Sequence, residues 1–194
     1  MPEQSTDEQQ DLLLTATEIQ AVTNRDMPTE LSQAVAALVT DAVRDYCGWR
    51  VAKTATETIT LASRGTRTIF LPSLHIVRVD AVTENGVSVA AGDGYDWDEA
   101  GILHRVGRRR WRAGRRTVEV TLTHGHPRCP GGIATAIASA VARGAFTPAG
   151  GLVSEGALGQ TNQYGRTASG AAVDMAFTPE ELRRLDAHRI GASR

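Results

Sequence analysis

Apolar residues recur every three or four positions between residues 14 and 49, which is the pattern of amphipathic helices. Pro28 is suited to begin the longer helix, because its fixed backbone angle matches a first helical turn. We predict that this helix runs to about Tyr46 and that Gly48 ends it. Its predicted buried stripe comprises Leu31, Val35, Leu38, Val39, Ala42, Val43 and Tyr46.

Two capping boxes mark further helix starts. In a capping box, a Ser or Thr at the N-cap and a Glu three residues later each accept a hydrogen bond from the other's backbone N–H. Thr15 and Glu18 form the first, which predicts a short helix to about Thr23. The second opens a C-terminal helix, predicted over 178–190, and includes a proline at the first helical position and a hydrophobic staple. Its residues are Phe177, Thr178, Pro179, Glu181 and Leu182.

The hydrophobic period changes to two between residues 51 and 124, which predicts a small antiparallel β region. The first two strands are predicted to pair with each other around Arg64-Gly65. Asn85-Gly86 is a residue pair favoured in two-residue hairpin turns, so it is predicted to join the third strand to the fourth. The predicted strands are 56–61, 66–71, 77–82, 87–89, 95–97, 102–105 and 117–123.

An alanine-rich helix is predicted from Gly131 to about Phe146. No charged residue lies between Arg128 and Arg143, so the helix is apolar on nearly every side and must be buried. A neighbouring subunit could supply one wall, or the helix could lie wholly within the core of its own chain, and composition does not separate the two. Candidate subunit-interface residues are Ile133, Ala134, Ile137, Ala138 and Val141.

A glycine-rich segment separates this helix from the C-terminal one. Its thirty residues, 147–176, contain six glycines and three charged residues. Compact domains rarely contain a structureless stretch of this length, whereas an arm that reaches a neighbour does. The candidate arm contacts are Leu152, Val153, Leu158 and Tyr164.

Together these elements predict an α+β fold. The long amphipathic helix, the alanine-rich helix and the C-terminal helix would form a helical bundle, into which the antiparallel β region is inserted. A chain of 194 residues is long enough to bury such a core. The predicted segments are a disordered acidic N-terminus (1–13), N-terminal helices (14–49), a β insertion (51–124), the alanine-rich helix (127–146), a Gly-rich arm (147–177) and a C-terminal helix (178–190).

Composition is ordinary for a globular protein, with 41% hydrophobic residues, 22% charged residues and a net charge of −1. Charge is unevenly spread, because residues 1–30 sum to −6 and residues 105–128 to +7. The two cysteines are too few for a disulfide scaffold. No signal peptide or membrane-spanning run is apparent, so we expect a soluble protein made in the cytosol that does not contact a membrane.

The segment 107–116 is the sharpest candidate for chemistry. It lies between two predicted strands and is interpreted as a basic hairpin tip whose arginines could grip phosphates while its Trp stacks on bases or lipids. The alternative is a solvated loop whose arginines pair with acidic surface, including the acidic N-terminus. We favour a contact with phosphates or with an acidic partner. The candidates are Arg108, Arg109, Arg110, Trp111, Arg112, Arg115 and Arg116.

Two weaker clusters carry side chains capable of catalysis or metal binding. His124, His126 and Cys129 are zinc-binding residue types, but their spacing matches known zinc sites poorly, and a turn between strand and helix is the preferred interpretation. Four carboxylates within 93–99 lack the register of a calcium loop and are interpreted as a surface turn. We identify no active site, and we expect no cofactor, no metal and no enzymatic activity.

Several motifs follow one another in order along residues 13–190, and as a set they resemble the head-to-tail connector (adaptor) family of tailed bacteriophages. The motifs are Leu13-Leu14-Thr15-x-x-Glu18-Ile19, Val43-x-x-Tyr46-x-Gly48-Trp49, Tyr95-Asp96-Trp97-Asp98-x-x-Gly101-Ile102-Leu103, Val118-x-Val120-Thr121-x-Thr123-His124-Gly125, Cys129-Pro130-x-x-Ile133, Ser154-Glu155-x-x-Leu158-Gly159 with Tyr164, and Phe177-Thr178-Pro179-Glu180-Glu181-Leu182-x-x-Leu185-x-x-His188-Arg189.

The resemblance implies a structural virion protein of the head–tail neck, assembled in the host cytoplasm. It would form a ring, typically of twelve subunits, below the portal protein, extend the DNA channel and dock the next neck protein, a stopper or tail-completion protein. Genomic DNA would pass through without sequence-specific contacts, and the basic tip at 107–116 could face this channel DNA. Head-to-tail ring closure requires two different complementary patches on each subunit, and the oppositely charged segments could supply part of them.

Two alternatives from other classes remain at this stage. A non-specific DNA-binding protein using the 107–116 hairpin would bind duplex DNA as an isolated monomer with a steep salt dependence, whereas a connector would bind weakly or not at all before ring formation. A metal-dependent enzyme at His124, His126 and Cys129 would contain stoichiometric zinc.

Overall fold

The computed structural model describes residues 11–23, 28–144, 154–157, 160–163 and 177–191. These ranges contain helices and antiparallel strands, which confirms the predicted α+β class. The helices are α1 (Ala16–Thr23), α2 (Thr29–Cys47), α3 (Gly131–Gly144) and α4 (Pro179–Asp186). The strands are β1 (Ala55–Ser63), β2 (Thr68–Phe70), β3 (Ile76–Glu84), β4 (Val87–Ser88), β5 (Tyr95–Asp98), β6 (Ile102–Arg105), β7 (Gly114–His124), β8 (Ser154–Ala157) and β9 (Gln160–Gln163).

The chain divides into two compact units, a β unit and a helical unit. The β unit comprises Met1–Asp11, Arg44–Pro130 and His188–Arg194. The helical unit comprises Leu12–Val43 and Gly131–Ala187.

Strand β7 organises the β unit. It lies between β1 and β3 in a sheet of order β1-β7-β3-β4, while β2, β6 and β5 form a second sheet in that order. Val120 on β7 is paired with Ile59 on one side and with Val82 on the other. The predicted turn joins β3 to β4, with positive φ angles of 51° at Asn85 and 77° at Gly86.

The two sheets share one hydrophobic core. Alternate residues of β7 point into it, because side chains on a strand alternate between its two faces. On the opposite face the Thr58 and Thr121 hydroxyls are 2.8 Å apart and exposed, as are those of Thr56 and Thr123. The buried core residues are Ile69, Leu71, Ile76, Val82, Tyr95, Leu103, Trp111, Val118, Val120 and Leu122.

Two strand pairings predicted from the sequence are wrong. Strand β1 pairs with β7 rather than with β2, and β2 pairs with β6. The segment 107–116 is likewise not a hairpin tip, because β6 and β7 belong to different sheets and the segment crosses between them. The alternation of apolar and polar residues identifies each strand. It does not show which of the other strands lies beside it in the sheet.

The helical unit is held by contacts of α3 with α1 and with α4. Its capped start at α1 is present, since Thr15 N–H donates to Glu18 Oε2 over 2.7 Å and Glu18 N–H donates to Thr15 Oγ1 over 3.2 Å. The apolar side chains buried in this unit are Leu13, Leu14, Ile19, Val35, Ala36, Val39, Val43, Ile133, Ala136, Ile137, Ala140, Val141 and Leu185.

The buried stripe of α2 differs from the predicted one. Leu31 and Leu38 are 51% and 61% exposed, whereas Ser32 and Thr40 are fully buried. The two hydroxyls can be buried because each donates to the backbone carbonyl four residues earlier, over 3.1 Å and 2.7 Å. The helix is therefore rotated away from the face that hydrophobicity alone predicts.

Helix α4 begins with a complete capping box at Thr178 and Glu181, with Pro179 in the first turn. Glu181 also forms an ion pair with Arg143 of α3, in which Nη2 lies 2.7 Å from Oε2. The helix ends at Asp186, earlier than the predicted residue 190. Beyond it the chain belongs to the β unit, where the Ile190 N–H donates to the Cys47 carbonyl over 2.9 Å.

Part of the segment predicted as a structureless arm is an antiparallel hairpin of β8 and β9, in which Ser154 pairs with Gln163 and Ala157 with Gln160. The rest of the predicted arm and the predicted disordered residues 1–10 lie outside the described ranges.

Removing the charge of Glu181 tests the link between α3 and α4. Burial alone would raise the pKa of Glu181, but hydrogen bonds from Arg143 and Thr178 and the Arg143 charge outweigh it, so the pKa lies below 4.5. Glu181→Gln retains a capping side chain but removes the carboxylate charge that faces Arg143, so we expect a loss of about 1–3 kcal/mol in unfolding free energy at pH 7.

Urea unfolding measures this loss, and Glu180→Gln in the same helix turn is the matched control, because that exposed side chain should change stability by less than about 0.5 kcal/mol. A group with a lowered folded-state pKa stabilises above its unfolded pKa, and that stability disappears as pH falls through the folded value. The Gln variant should therefore lose less stability than the parent below about pH 4.5. Equal effects of the two variants would contradict the proposed role of the ion pair.

Candidate functional site

Six arginines surround a single buried tryptophan in residues 107–116, here named the arginine loop, which comprise most of the connection after β6 and the first three residues of β7. Trp111 is only 1% exposed and belongs to the hydrophobic core of the β unit. Its neighbours along the loop all point outward. The exposed arginines are Arg108, Arg109, Arg110, Arg112, Arg115 and Arg116.

Burial of Trp111 corrects one part of the sequence interpretation. Its backbone N–H donates to the Thr66 carbonyl over 2.9 Å, and the Arg105 guanidinium lies 4.7 Å from its ring centroid. The indole is thus covered and cannot stack on a base or a lipid. In the sequence, a tryptophan among arginines resembles a motif for stacking on bases. In the structure, its ring is buried in the core and anchors the loop.

A partly buried ion pair fixes the base of the arginine loop. Arg105 Nη2 lies 2.9 Å from Glu84 Oε2, and its Nη1 donates to the Gly94 carbonyl over 3.1 Å. The other carboxylate oxygen of Glu84 accepts the backbone N–H of Arg112 over 2.6 Å. Glu84 is therefore occupied at the base of the loop, and its charge is compensated by Arg105.

A second loop, between β1 and β2, lies beside the arginine loop. The Arg67 guanidinium donates to the Gly107 carbonyl, and Arg110 Nη1 lies 3.5 Å from the Gly65 carbonyl. Arg64 and Arg67 are both exposed, so the two loops together present eight exposed arginines with no acidic residue among residues 64–67 and 107–116. We name this surface the arginine platform. In the sequence the only sign of Arg64 and Arg67 is a pair of arginines flanking a glycine turn.

The candidate subunit-interface residues on α3 are used largely within their own chain. Ile133, Ile137 and Val141 are buried, and Ala134 and Ala138 are half-buried. These burials agree with the alternative that α3 is a core helix, at least along the isoleucine and valine side.

The uncovered apolar face lies on α2 instead. Leu31 and Leu38 are the most exposed large apolar side chains of the described helices, and the alanines at 34 and 42 lie on the same side and are also exposed. We name this surface the α2 outer face. It carries acidic residues at its edges, namely Glu30, Asp41 and Asp45.

The histidines at the end of β7 do not converge on a common point. His124 is buried, and its Nε2 lies 2.9 Å from Glu57 Oε1, although neither ring nitrogen makes a well-directed hydrogen bond. His126 stacks on His75, with ring centroids 4.2 Å apart, and lies edge-on to His188 at 6.0 Å. Among the described residues, no three His, Cys, Asp or Glu side chains are placed to hold a metal ion.

The four carboxylates within 93–99 do not form one surface turn as predicted, because Asp96 and Asp98 lie on strand β5, and the turns on either side of it hold Asp93 and Glu99. The Asp98 carboxylate accepts the Ile102 N–H over 3.0 Å, and that of Asp96 accepts the Trp97 N–H over 2.9 Å. The arm candidates Leu152, Val153, Leu158 and Tyr164 lie outside the described residues. Within the described part of the chain, no helix has the length and apolarity needed to span a bilayer.

The fold is similar to that of chains in gene transfer agent (GTA) particles. A chain from the neck of an empty GTA particle, computed with C6 symmetry, matches with a TM-score of 0.59 at 14% identity, over 92% of this chain and 90% of that chain. A chain from the virion of a native GTA particle matches with a TM-score of 0.57 at 14% identity, with the same coverage. A chain from the neck of the native particle, computed with C12 symmetry, gives 0.56 at 14% identity over 91% of each chain.

No protein-family model matches the sequence, and no curated protein is significantly similar to it. At 14% identity the likeness to the GTA chains establishes the fold. Membership of the connector family, named above from the sequence motifs, stays a prediction.

Replacing Trp111 tests its role as the anchor of the arginine loop. Trp111→Ala should lower the free energy of unfolding by about 3–5 kcal/mol, because it leaves a large cavity between the sheets. Trp111→Phe should cost less than about 1.5 kcal/mol, since it keeps an aromatic ring there and removes an indole N–H that has no hydrogen-bond partner. Chemical unfolding followed by circular dichroism measures both, and a small effect of the alanine variant would show that the ring is not a core residue.

Stability should fall as the pH falls from 8 to 5. Burial lowers the pKa of His126 below 6.5, with further lowering by His75 and His188, and burial alone lowers that of His188. Burial also lowers the pKa of His124, although the Glu57 carboxylate opposes it. Because each folded-state pKa lies below the unfolded one, the unfolded chain takes up protons first, and stability is lost below about pH 6.5.

Urea titrations at several pH values test this expectation. His126→Gln should show a shallower pH dependence than the parent, because it removes one group whose folded-state pKa is lowered. Stability that is constant or that rises toward pH 5 would contradict the prediction.

Proposed function

We propose that this chain is a structural, non-enzymatic component of the head–tail neck of a phage-like particle, in which it forms a ring below the portal protein. The observation that carries the proposal is the fold, which is shared over nine-tenths of the chain with chains of GTA particle necks. The order of motifs from Leu13 to Arg189 supports the narrower assignment as a head-to-tail connector. Twelve subunits are the number that this assignment implies.

The α2 outer face is proposed as part of the contact between subunits. Its exposed leucines lie on a regular helix, which offers a neighbouring copy a straight apolar ridge about 16 Å long between residues 31 and 42. Exposed apolar side chains that are rimmed by charges are typical of protein interfaces. The occupant is a second copy of this chain, because a ring requires each subunit to contact the next through patches that repeat around it.

The remaining partners follow from the position in the neck. The portal protein would contact one side of the ring and a stopper or tail-completion protein the other, while genomic DNA passes through the channel. The particle would assemble in the host cytoplasm, and the mature protein would be part of the virion.

A non-specific DNA-binding protein is the second candidate function, favoured by the exposure of eight arginines on one surface. It differs from the neck function because a DNA-binding protein of this kind would act without the portal. Response to the portal therefore discriminates the two functions.

Light scattering coupled to size-exclusion chromatography tests the first function. The full chain is analysed alone and mixed with the portal protein from its own genome, and we expect a shift into a large complex with the portal. A chain that ignores the portal would contradict the proposal.

Leu31→Ser/Leu38→Ser should weaken formation of this complex by at least about tenfold, because each leucine would otherwise be buried against the next copy. The double variant should fold as stably as the parent within about 1 kcal/mol, since both side chains are exposed. Val77→Ser/Val87→Ser is the matched control, with side-chain exposures of 50% and 69%, and should assemble normally. Normal assembly of the leucine variant would exclude the α2 outer face as the contact.

A further inference from the structure

The arginine platform is built from two loops that different sheets supply. The loop at 64–67 links β1 of the first sheet to β2 of the second, and the arginine loop crosses back from β6 to β7. The two strand pairs place these crossings beside each other, because β1 pairs with β7 and β2 pairs with β6. One positively charged surface is thus formed at this end of the β unit.

The backbone of the platform is held in place before any ligand binds. The Thr66 carbonyl accepts the Trp111 N–H, the Gly107 carbonyl accepts from Arg67, and the Glu84 carboxylate accepts the Arg112 N–H. Trp111 fixes the middle of the loop in the core. A binding surface whose backbone is already ordered loses less conformational entropy when it binds.

Among the residues that the structure describes, no ion pair neutralises the exposed arginines of the platform. Glu84, the acidic residue at its base, is paired with Arg105, which is not one of the eight exposed arginines. Asp93 lines a shallow cleft with Arg109 at the edge of the surface. The outward guanidinium groups therefore face solvent as an array of like charges, which costs stability unless anions bind there.

The chemistry of the array selects one class of ligand. Guanidinium groups bind phosphate oxygens through paired N–H donors. A protein partner usually needs an apolar or aromatic anchor at the centre of its contact, and the buried Trp111 does not offer one. Single-stranded nucleic acid is bound by stacking successive bases on several aromatic side chains. Neither loop exposes one, and Phe70, which lines a cleft with Arg64, offers a single ring. What remains is a polyanion recognised by its backbone alone.

We propose that the arginine platform binds the sugar-phosphate backbone of double-stranded DNA without reading its sequence, and that Arg64 and Arg67 take part in the binding together with the arginine loop. Duplex DNA carries one negative charge per about 1.7 Å of its axis, so several phosphates fall within the span of the two loops. The biological setting rests on the proposed function, because DNA that passes through a neck ring is the duplex this surface would meet.

Fluorescence anisotropy with the full chain and a labelled duplex of mixed sequence, about 30 base pairs long, tests the proposal. We expect weak binding by the isolated chain in low salt, as for a connector before ring formation, with affinity that falls steeply between about 20 and 200 mM salt, and still weaker binding of a single strand of the same length. Arg64→Ala/Arg108→Ala removes one exposed arginine from each loop without removing a loop-stabilising hydrogen bond. It should reduce affinity by about tenfold at 50 mM salt and lower the slope of log Kd against log salt by about 2.

Arg78→Ala/Arg128→Ala is the control, because it changes the net charge by the same amount at exposed positions near the other end of β7 from the platform. It should leave the salt slope unchanged. The proposal is overturned if the control variant loses as much affinity, if the single strand binds as tightly as the duplex, or if no duplex binding occurs at low salt. Displacement of the duplex by an equal charge concentration of polyglutamate would overturn it in favour of an acidic protein partner.

These outcomes are separable from those of the portal experiment. Absence of duplex binding with an intact portal complex would remove only the role of the platform. Duplex binding by a chain that ignores the portal would support the platform and contradict the neck assignment.

Discussion

The β unit depends on the burial of one indole ring between its two sheets. Trp111 is the largest fully buried side chain of the described residues, and it lies on a connection rather than on a strand. A connection that contributes its bulkiest side chain to the core cannot move independently of the two sheets. The backbone on either side of Trp111 must therefore follow the surface of the sheets, and every neighbouring side chain must point away from them.

That constraint places the arginines beside Trp111 on one surface. The residues that flank Trp111 are exposed, so their side chains extend outward. Glu84 and Arg105 neutralise each other's charge at the base of the loop. The exposed guanidinium groups therefore have no acidic residue within their own loop to pair with. Burial of Trp111 thus both stabilises the packing of the two sheets and brings positive charges together on one surface. The stability of the β unit and its surface charge are therefore linked.

Features set by neighbouring residues could be predicted from the sequence. The capping boxes at Thr15 and Thr178 and the turn at Asn85-Gly86 depend on side chains within a few residues of one another, and they are present. The partners of β1 and β2 could not be predicted, because alternation is the same whichever strand lies opposite. The arginine platform could not be predicted for the same reason, since the proximity of Arg64 to the arginine loop depends on those pairings. The rotation of α2 was hidden because buried Ser32 and Thr40 satisfy their hydroxyls within the helix.

The orientation of α2 has an energetic consequence for assembly. The helix buries small side chains and leaves Leu31 and Leu38 more than half exposed, although covering each leucine fully would contribute about 1.5–3 kcal/mol. Covering the exposed halves at a subunit contact would contribute about 2 kcal/mol per contact, which is too little for a stable dimer. In a closed ring each subunit has two such contacts, so the final subunit gains twice what the first gained. A weak apolar face of this kind suits a protein that remains dispersed until a template gathers many copies, and the portal is the template that the proposed function supplies.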